Sequence, residues 1–445
     1  MTQHTLGRHL VHAGDNLELL RGLPDNSVDA VVTDPPYGLG RHPDAVAMLR
    51  DWLETGYHEV KGAGFMGRAW DAFVPQPVLW REVARVLKPG GHLVAFFGTR
   101  TYDVGTLAIR LAGLEVRDAL AWVYGSGFPK SHNVAIALDK QAGAMGHRGK
   151  AHHAYAIGDD FEGRDLVAPN SHTPDHVPIT DAAQQWDGWG TALKPALEPI
   201  ALCRLPPSES SIARNVLRWG TGGINVRGCE VPAGPGHDAR RPSGEYEGLG
   251  GPGGGFRIRP RRVEDQPRRA GRWPANLIHD GSPEAVAGMP ETGGGQHPAS
   301  SGKSTPGANG TMGGGWAGFQ RPHARNTDTG SAARYFYSAK TSPAERAGSK
   351  HPTIKPLSLM RYLVRLVTPP GGVVLDPYLG SGTTLLAAEA EGVTCYGAEA
   401  EHLEDILHRW DHRHEIRRAS EGVQETAGGR DEHEAQGELF PGVAP

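Results

Sequence analysis

Four consecutive residues, Asp34-Pro35-Pro36-Tyr37, combine a carboxylate, a stiffened backbone and an aromatic ring. Such a set suits work on the exocyclic amine of a nucleobase, adenine N6 or cytosine N4, whose nitrogen lone pair is delocalised into the ring. Acceptors on both amine protons would draw the nitrogen toward tetrahedral geometry and aim its lone pair at a methyl donor. The Asp34 carboxylate and the Pro35 carbonyl can supply them. Pro35 and Pro36 restrict the backbone, so the acceptors are held in place before a substrate arrives. Tyr37 can stack on a base taken out of the helix. The plainer reading is a proline-rich turn, with Asp34 as turn former and Tyr37 as packing. The position of the peptide at the carboxyl end of an apolar run, where ligands bind in open α/β sheets, favours the chemical reading.

A second stretch with chemical content is Asp376-Pro377-Tyr378-Leu379-Gly380-Ser381-Gly382-Thr383-Thr384. Its glycines let the backbone turn tightly and approach a ligand closely. Glu399 follows at the end of the next strand, about where an acidic residue meets ribose hydroxyls in nucleotide-binding βαβ units. The loop alone fits an ordinary strand-to-helix turn equally well, and Glu399 tips it toward a nucleotide-like ligand. No Gly-Lys-Ser/Thr is present, which disfavours a phosphate-binding P-loop.

These residues need a scaffold. Arg8 to His12 reads as a short strand, Leu17 to Arg21 as a helix and Val28 to Thr33 as a strand buried in a parallel sheet. Leu79 to Leu87 has helical spacing and ends at the breaker Lys88-Pro89-Gly90-Gly91. Strands at His92 to Phe97, Leu120 to Tyr124 and Glu198 to Arg204 surround a helix at Thr101 to Ala112. Regular rhythm returns near Tyr335, with helices at Leu357 to Leu366 and Thr383 to Glu391 and strands at Val373 to Leu375 and Thr394 to Ala398. The alternation predicts an α/β fold, a mostly parallel Rossmann-like sheet with helices on both faces.

A chain of 445 residues with 38% hydrophobic content can hold one large α/β core plus an inserted module. Its net charge of -4 carries no global nucleic-acid signature, but a local basic face is enough for duplex binding. Gly 62 and Pro 35 are concentrated in the middle of the chain, where periodicity is poor. Arg257, Arg259, Arg261, Arg262, Arg268 and Arg269 lie there, with Arg272 just beyond, and could neutralise phosphates. A solvated charged loop would look the same by composition. Cys203, Cys229 and Cys395 form no Cys-x-x-Cys pair, so neither a disulfide framework nor a zinc site is expected. No apolar signal region or membrane-spanning run is found, and a soluble cytoplasmic protein is expected.

Asp-Pro-Pro-Tyr followed much later by an aromatic-x-Gly-x-Gly loop resembles the β group of amino DNA methyltransferases, which use S-adenosylmethionine. In that group the catalytic half comes first, then the target-recognition region, then the cofactor loop. The resemblance implies a catalytic half at 1–205 with a loop insertion at about 141–190, and a target-recognition region at 206–334. A cofactor half would follow at 335–418, then a disordered tail at 419–445. It implies Asp34, Pro35, Pro36 and Tyr37 as catalytic residues. Asp15 would lie near the cofactor's adenine, the backbone of His351-Pro352-Thr353-Ile354-Lys355-Pro356 and Thr353 would line the methionine end of its pocket, and Lys355 would count among the cofactor-binding residues. Asp376, Tyr378, Gly380, Ser381, Gly382 and Thr383 would follow the cofactor's backbone, and Glu399 would take its ribose. Asp15 could equally be a helix N-cap, and His351 to Pro356 a rigid connector with Lys355 a solvated charge. The one departure, Tyr378 where phenylalanine is commonest, keeps the ring. Phe128, His132 and the stretch Asp187 to Pro199, with Trp189 and Lys194, could also face the site.

The expected activity is methylation of double-stranded DNA at adenine N6. In the family, Asp in the first catalytic position goes mostly with adenine and Ser with cytosine N4, so N4-cytosine is the alternative. Transfer would be direct and in line, with no covalent enzyme intermediate and no metal. A monomer or homodimer is expected, with or without a cognate restriction enzyme. A cytosine-C5 enzyme would need a nucleophilic cysteine, typically after proline, and the three cysteines follow Leu, Gly and Thr. An oxidoreductase would leave Asp34 to Tyr37 unexplained. The non-enzyme rival is a silent DNA-binding protein on the same scaffold.

Overall fold

Every residue of Val28–Thr33 is buried. A strand covered on both faces needs a layer of helices on each side. The computed structural model describes residues 2–40, 42–60, 62, 71–125, 127, 131–144, 177–233, 271–292, 330–339, 342–349, 351 and 353–422, and it supplies both layers. In chain order the main sheet comprises β1 (Thr2–Leu6), β2 (His9–Ala13), β3 (Val28–Thr33), β4 (Leu87–Phe96), β5 (Glu115–Val123), β6 (Leu197–Arg204), β7 (Leu277–His279), β8 (Tyr337–Ser338), β9 (Val373–Asp376) and β10 (Thr394–Glu399). Their spatial order is β1-β2-β10-β9-β3-β4-β6-β5-β7-β8.

Ala30 and Val32 of β3 pack toward the helices Leu357–Val367 and Thr383–Glu391. Val31 packs the other way, with Leu20, Trp80, Val83 and Ile109 from the helices Asn16–Gly22, Pro77–Val86 and Tyr102–Leu111. This alternation is the period of two that a pleated strand imposes.

β9, the strand that leads into the glycine loop, comes late in the chain yet lies directly beside β3. Val374 pairs with Ala30 and Leu375 with Val31 in a parallel ladder. Asp34 and Asp376 therefore leave the same edge of the sheet side by side. Below them, the Asp29 carboxylate accepts from Val373 N at 2.8 Å and from Lys88 Nζ at 2.6 Å, which ties β3 to β9 and β4.

The structure departs from the sequence reading in four places. The helix that ends at Val86 is followed at once by β4, which runs through Lys88-Pro89-Gly90-Gly91. A register shift against β3 between Val28 and Ala30 absorbs the bend, and Gly90 takes φ +79. The expected parallel run is interrupted by β6, which is antiparallel to both β4 and β5. The region 206–334 is not wholly separate, because β7 joins the main sheet in parallel register with β5. Finally, residues 413–422 are helical with Ile416 and Ser420 buried, so regular structure continues past the boundary expected at 418. Among the described residues, no helix is long and apolar enough to cross a membrane.

Candidate active site

Asp376 joins the two chemical segments. Its Oδ1 accepts from Thr33 Oγ1 at 2.7 Å and from Tyr378 N at 3.0 Å, and its Oδ2 accepts from Thr384 Oγ1 at 2.5 Å. Thr33 directly precedes Asp34, so one carboxylate fixes the glycine loop against the end of β3. Burial pushes the Asp376 carboxyl up to about 6, against the downward pull of those three hydrogen bonds.

The loop after Asp376 is built as a cradle. Gly380 has φ +53, and a Cβ there would lie 3.4 Å from His351 Nε2. Its N–H donates to Glu399 Oε2 at 2.8 Å, while Glu399 Oε1 accepts from the backbone of Glu401 and His402. Glu399 is thus aimed by three N–H groups. Arg409, fully buried, donates to Ser381 O, Ser381 Oγ, Thr383 Oγ1 and Glu345 O. Burial pulls its guanidinium down to about 10, opposed by Glu345 and Asp405. His351 is buried against His402, which holds its imidazole below the usual range, burial being the larger cause.

The tetrapeptide opens onto the same cleft, of about 1740 Å³. Asp34 Oδ1 accepts from the Tyr37 hydroxyl at 3.0 Å and Oδ2 from Lys355 Nζ at 2.6 Å. Glu198, on β6, accepts from the same hydroxyl at 2.7 Å and lies 3.3 Å from the same ammonium. Lys355 is buried, which by itself would discharge it, but Asp34 and Glu198 outweigh that and hold its pKa above the ordinary value. Burial and the same two carboxylates hold the Tyr37 phenol well above its usual range. Thr101 Oγ1 donates to Tyr37 O at 2.6 Å, which anchors the end of the peptide.

Asp15, Asp34, Pro35, Pro36, Tyr37, Thr353, Lys355, Asp376, Tyr378, Gly380, Ser381, Thr383 and Glu399 all line this one cleft. Gly382 is not among its lining residues: a Cβ there would meet Ile406 at 3.3 Å, so this glycine serves packing and its φ of +79. Asp15 caps the helix Asn16–Gly22 through Oδ1, as the N-cap reading expected, and it also borders the cleft. Lys355 is buried and turns its ammonium to the carboxylates Asp34 and Glu198, so it is not the solvated charge that was one reading of it. Arg257, Arg259, Arg261, Arg262, Arg268, Arg269 and Phe128 lie outside the described residues. His132 is exposed and does not line the cleft, whereas Lys194 does. Arg409 carried no local signal in the sequence. Glu198 falls in the stretch Asp187 to Pro199 expected near the site, and its mark is an acid near the start of a mostly apolar strand. All three cysteines are buried, and burial pushes the thiols of Cys203 and Cys229 up to about 12, the opposite of an activated nucleophile.

A central sheet with a glycine loop and a facing acid at adjacent strand ends makes a Rossmann-like α/β arrangement. The family profile N6_N4_Mtase, described as DNA methylase, matches residues 28–145 and 305–406, just under half of the chain, which is thus similar to that family over those two stretches. Among curated relatives, the Type II methyltransferase M.BglII of Bacillus subtilis is 29% identical over 126 residues, 26% of this chain and 29% of that protein. M.HindIII of Haemophilus influenzae is 59% identical over 39 residues, 9% of this chain and 13% of that protein. The chain thus spans less than a third of the length of these relatives. Among solved structures, PvuII DNA methyltransferase (cytosine-N4-specific) aligns with TM-score 0.42 at 13% identity, covering 93% of this chain and 92% of that one.

Proposed function

We propose that this protein transfers a methyl group from S-adenosylmethionine to an exocyclic amine of double-stranded DNA, with adenine N6 ahead of cytosine N4. The observation that carries this reading is the single cleft in which Asp34 and Tyr37 face the Gly380 and Glu399 cradle. A nucleoside-bearing donor fits there. Gly380 leaves open the space beside His351 that a Cβ would narrow, and Glu399 keeps free lone pairs for a diol after accepting three backbone N–H bonds.

When bound, S-adenosylmethionine supplies a methyl carbon on a sulfonium, which the amine's lone pair takes as the S–C bond breaks and its electron pair stays on sulfur. Asp34 and the Pro35 carbonyl accept the two amine protons and turn the lone pair out of the ring. The Asp34 carboxylate offsets the positive charge that arrives on nitrogen, and the nitrogen then sheds one proton to Asp34 or to water. Tyr37 stacks on the base. Contributions of this kind come from preorganised position and charge. Asp in the first catalytic position supports adenine by family tendency. The region 206–334, with its arginines, would choose the DNA sequence.

The test is nucleoside mass spectrometry on DNA from cells expressing the protein, which separates N6-methyladenine, N4-methylcytosine and no product. Asp34→Ala should abolish the product while S-adenosylmethionine still binds. An Asp34→Ala protein that stays folded and methylates at the wild-type rate sinks the assignment. Donor binding without transfer to any DNA would favour the silent-scaffold alternative.

A further inference from the structure

We propose that Glu198 is a positioning residue that holds the Lys355 ammonium away from Asp34 while an amine occupies the catalytic carboxylate. This rests on the methyl-transfer reading above and extends it to a residue outside the Asp-Pro-Pro-Tyr peptide.

Both oxygens of Asp34 are engaged, one by the Tyr37 hydroxyl at 3.0 Å and one by Lys355 at 2.6 Å. A carboxylate neutralised by lysine is a poor acceptor for an amine proton. It also cannot offset the positive charge that moves onto nitrogen during transfer. Lys355 therefore has to withdraw. Its side chain is only 8% exposed, and a buried cation cannot be left unpaired without a large penalty. Among the described residues, the other carboxylate within ion-pair distance is Glu198, at 3.3 Å.

The same two carboxylates share the Tyr37 hydroxyl, which lies 2.7 Å from Glu198 and has one proton to donate. Ammonium and hydroxyl can both pass from Asp34 to Glu198 by small movements, and no charge is exposed or created. The Phe96 and Tyr37 rings flank Nζ at 5.0 and 5.4 Å, so the ammonium keeps favourable neighbours as it shifts. Glu198 is itself steadied by a hydrogen bond with Tyr124, whose phenol burial and that carboxylate push up to about 12.

The experiment compares the full-length wild type, Glu198→Gln and the double variant Glu198→Gln with Lys355→Met. Single-turnover transfer of tritiated methyl to genomic DNA is followed. S-adenosylmethionine affinity and thermal midpoint are measured alongside. Glutamine keeps the shape of Glu198 and one acceptor oxygen for the Tyr37 hydroxyl but removes the charge, so Lys355 stays on Asp34. Transfer should fall by about 100-fold while donor affinity stays within about twofold. Removing the lysine as well frees Asp34, and the double variant should regain about tenfold over Glu198→Gln. A residue that merely supports the fold would leave the double variant as slow as the single one or slower. That result, or wild-type speed in Glu198→Gln, overturns the proposal while wild-type transfer keeps the functional reading intact. If the wild type transfers nothing to any DNA, both fall together.

Discussion

Replacing Asp376 by asparagine should stabilise the folded protein at neutral pH and weaken its hold on a cationic ligand. The carboxyl is 1% exposed, and burial raises its pKa from the ordinary 3.8 to about 6. The folded chain therefore binds this proton more tightly than the unfolded chain does. The stability linked to it is fully present below pH 3.8 and is lost as pH rises through about 6. A shift of about two units corresponds to about 3 kcal/mol at pH 7. Asparagine has no such penalty. Its oxygen can keep Thr33 Oγ1 and Tyr378 N, and its amide can face Thr384, whose hydroxyl would turn to accept. That rearrangement would subtract up to about 1 kcal/mol. Urea unfolding of both proteins between pH 4 and pH 8 is the assay. The stability difference, variant minus wild type, should climb by about 2.5 kcal/mol across the window and level off above pH 7. A difference that stays flat with pH would refute the assignment of a strained carboxylate. Because Asp376 lines the cleft, a sulfonium ligand would offset its charge, and the variant should bind S-adenosylmethionine about tenfold more weakly.

Three other perturbations test the rest of the site. Arg409→Met removes four buried hydrogen bonds to the glycine loop and Glu345. It should cost about 2–4 kcal/mol in urea unfolding, and an unchanged midpoint would show that the clamp is idle. Gly380→Ala forces a side chain into φ +53 beside His351. It should lose about 1–2 kcal/mol and bind the donor more weakly by calorimetry, and full affinity would mean the cradle lies elsewhere. Tyr37→Phe keeps the ring but drops the hydroxyl shared by Asp34 and Glu198. Transfer should slow about tenfold, and Tyr37→Ala should be slower by at least about another tenfold. Equal losses in the two would remove the stacking role.

The readable parts of this protein are the locally encoded ones. Val28 to Thr33 reads as a buried strand because six consecutive residues suit it, and the structure places a strand at those positions. Thr383–Glu391 is likewise bounded by neighbours in sequence: Gly382 on one side and Gly392 on the other, both with positive φ. The Lys88 to Gly91 breaker misled because a local signal for ending a helix says nothing about whether a strand can begin there. Only the register shift against β3 and the packing of Asn215 on Pro89 decide that. The reversed direction of β6 and the entry of β7 into the sheet are likewise properties of pairing, not of any one segment.

At the site the division is the same. The chemical types at 34–37 and 376–384, and the acid at 399, are legible because each short peptide carries its own geometry. The sequence by itself therefore determined which atoms could polarise an amine and which loop could receive a nucleoside. Only the tertiary structure decided that they meet. Thr33 reaches Asp376 across 343 positions of chain, and Lys355 reaches Asp34 across 321. Glu198 and Arg409 acquire their roles through such long-range contacts alone. A buried charge is defined by what surrounds it, and the surroundings here come from strands that are neighbours in the sheet and strangers in the sequence.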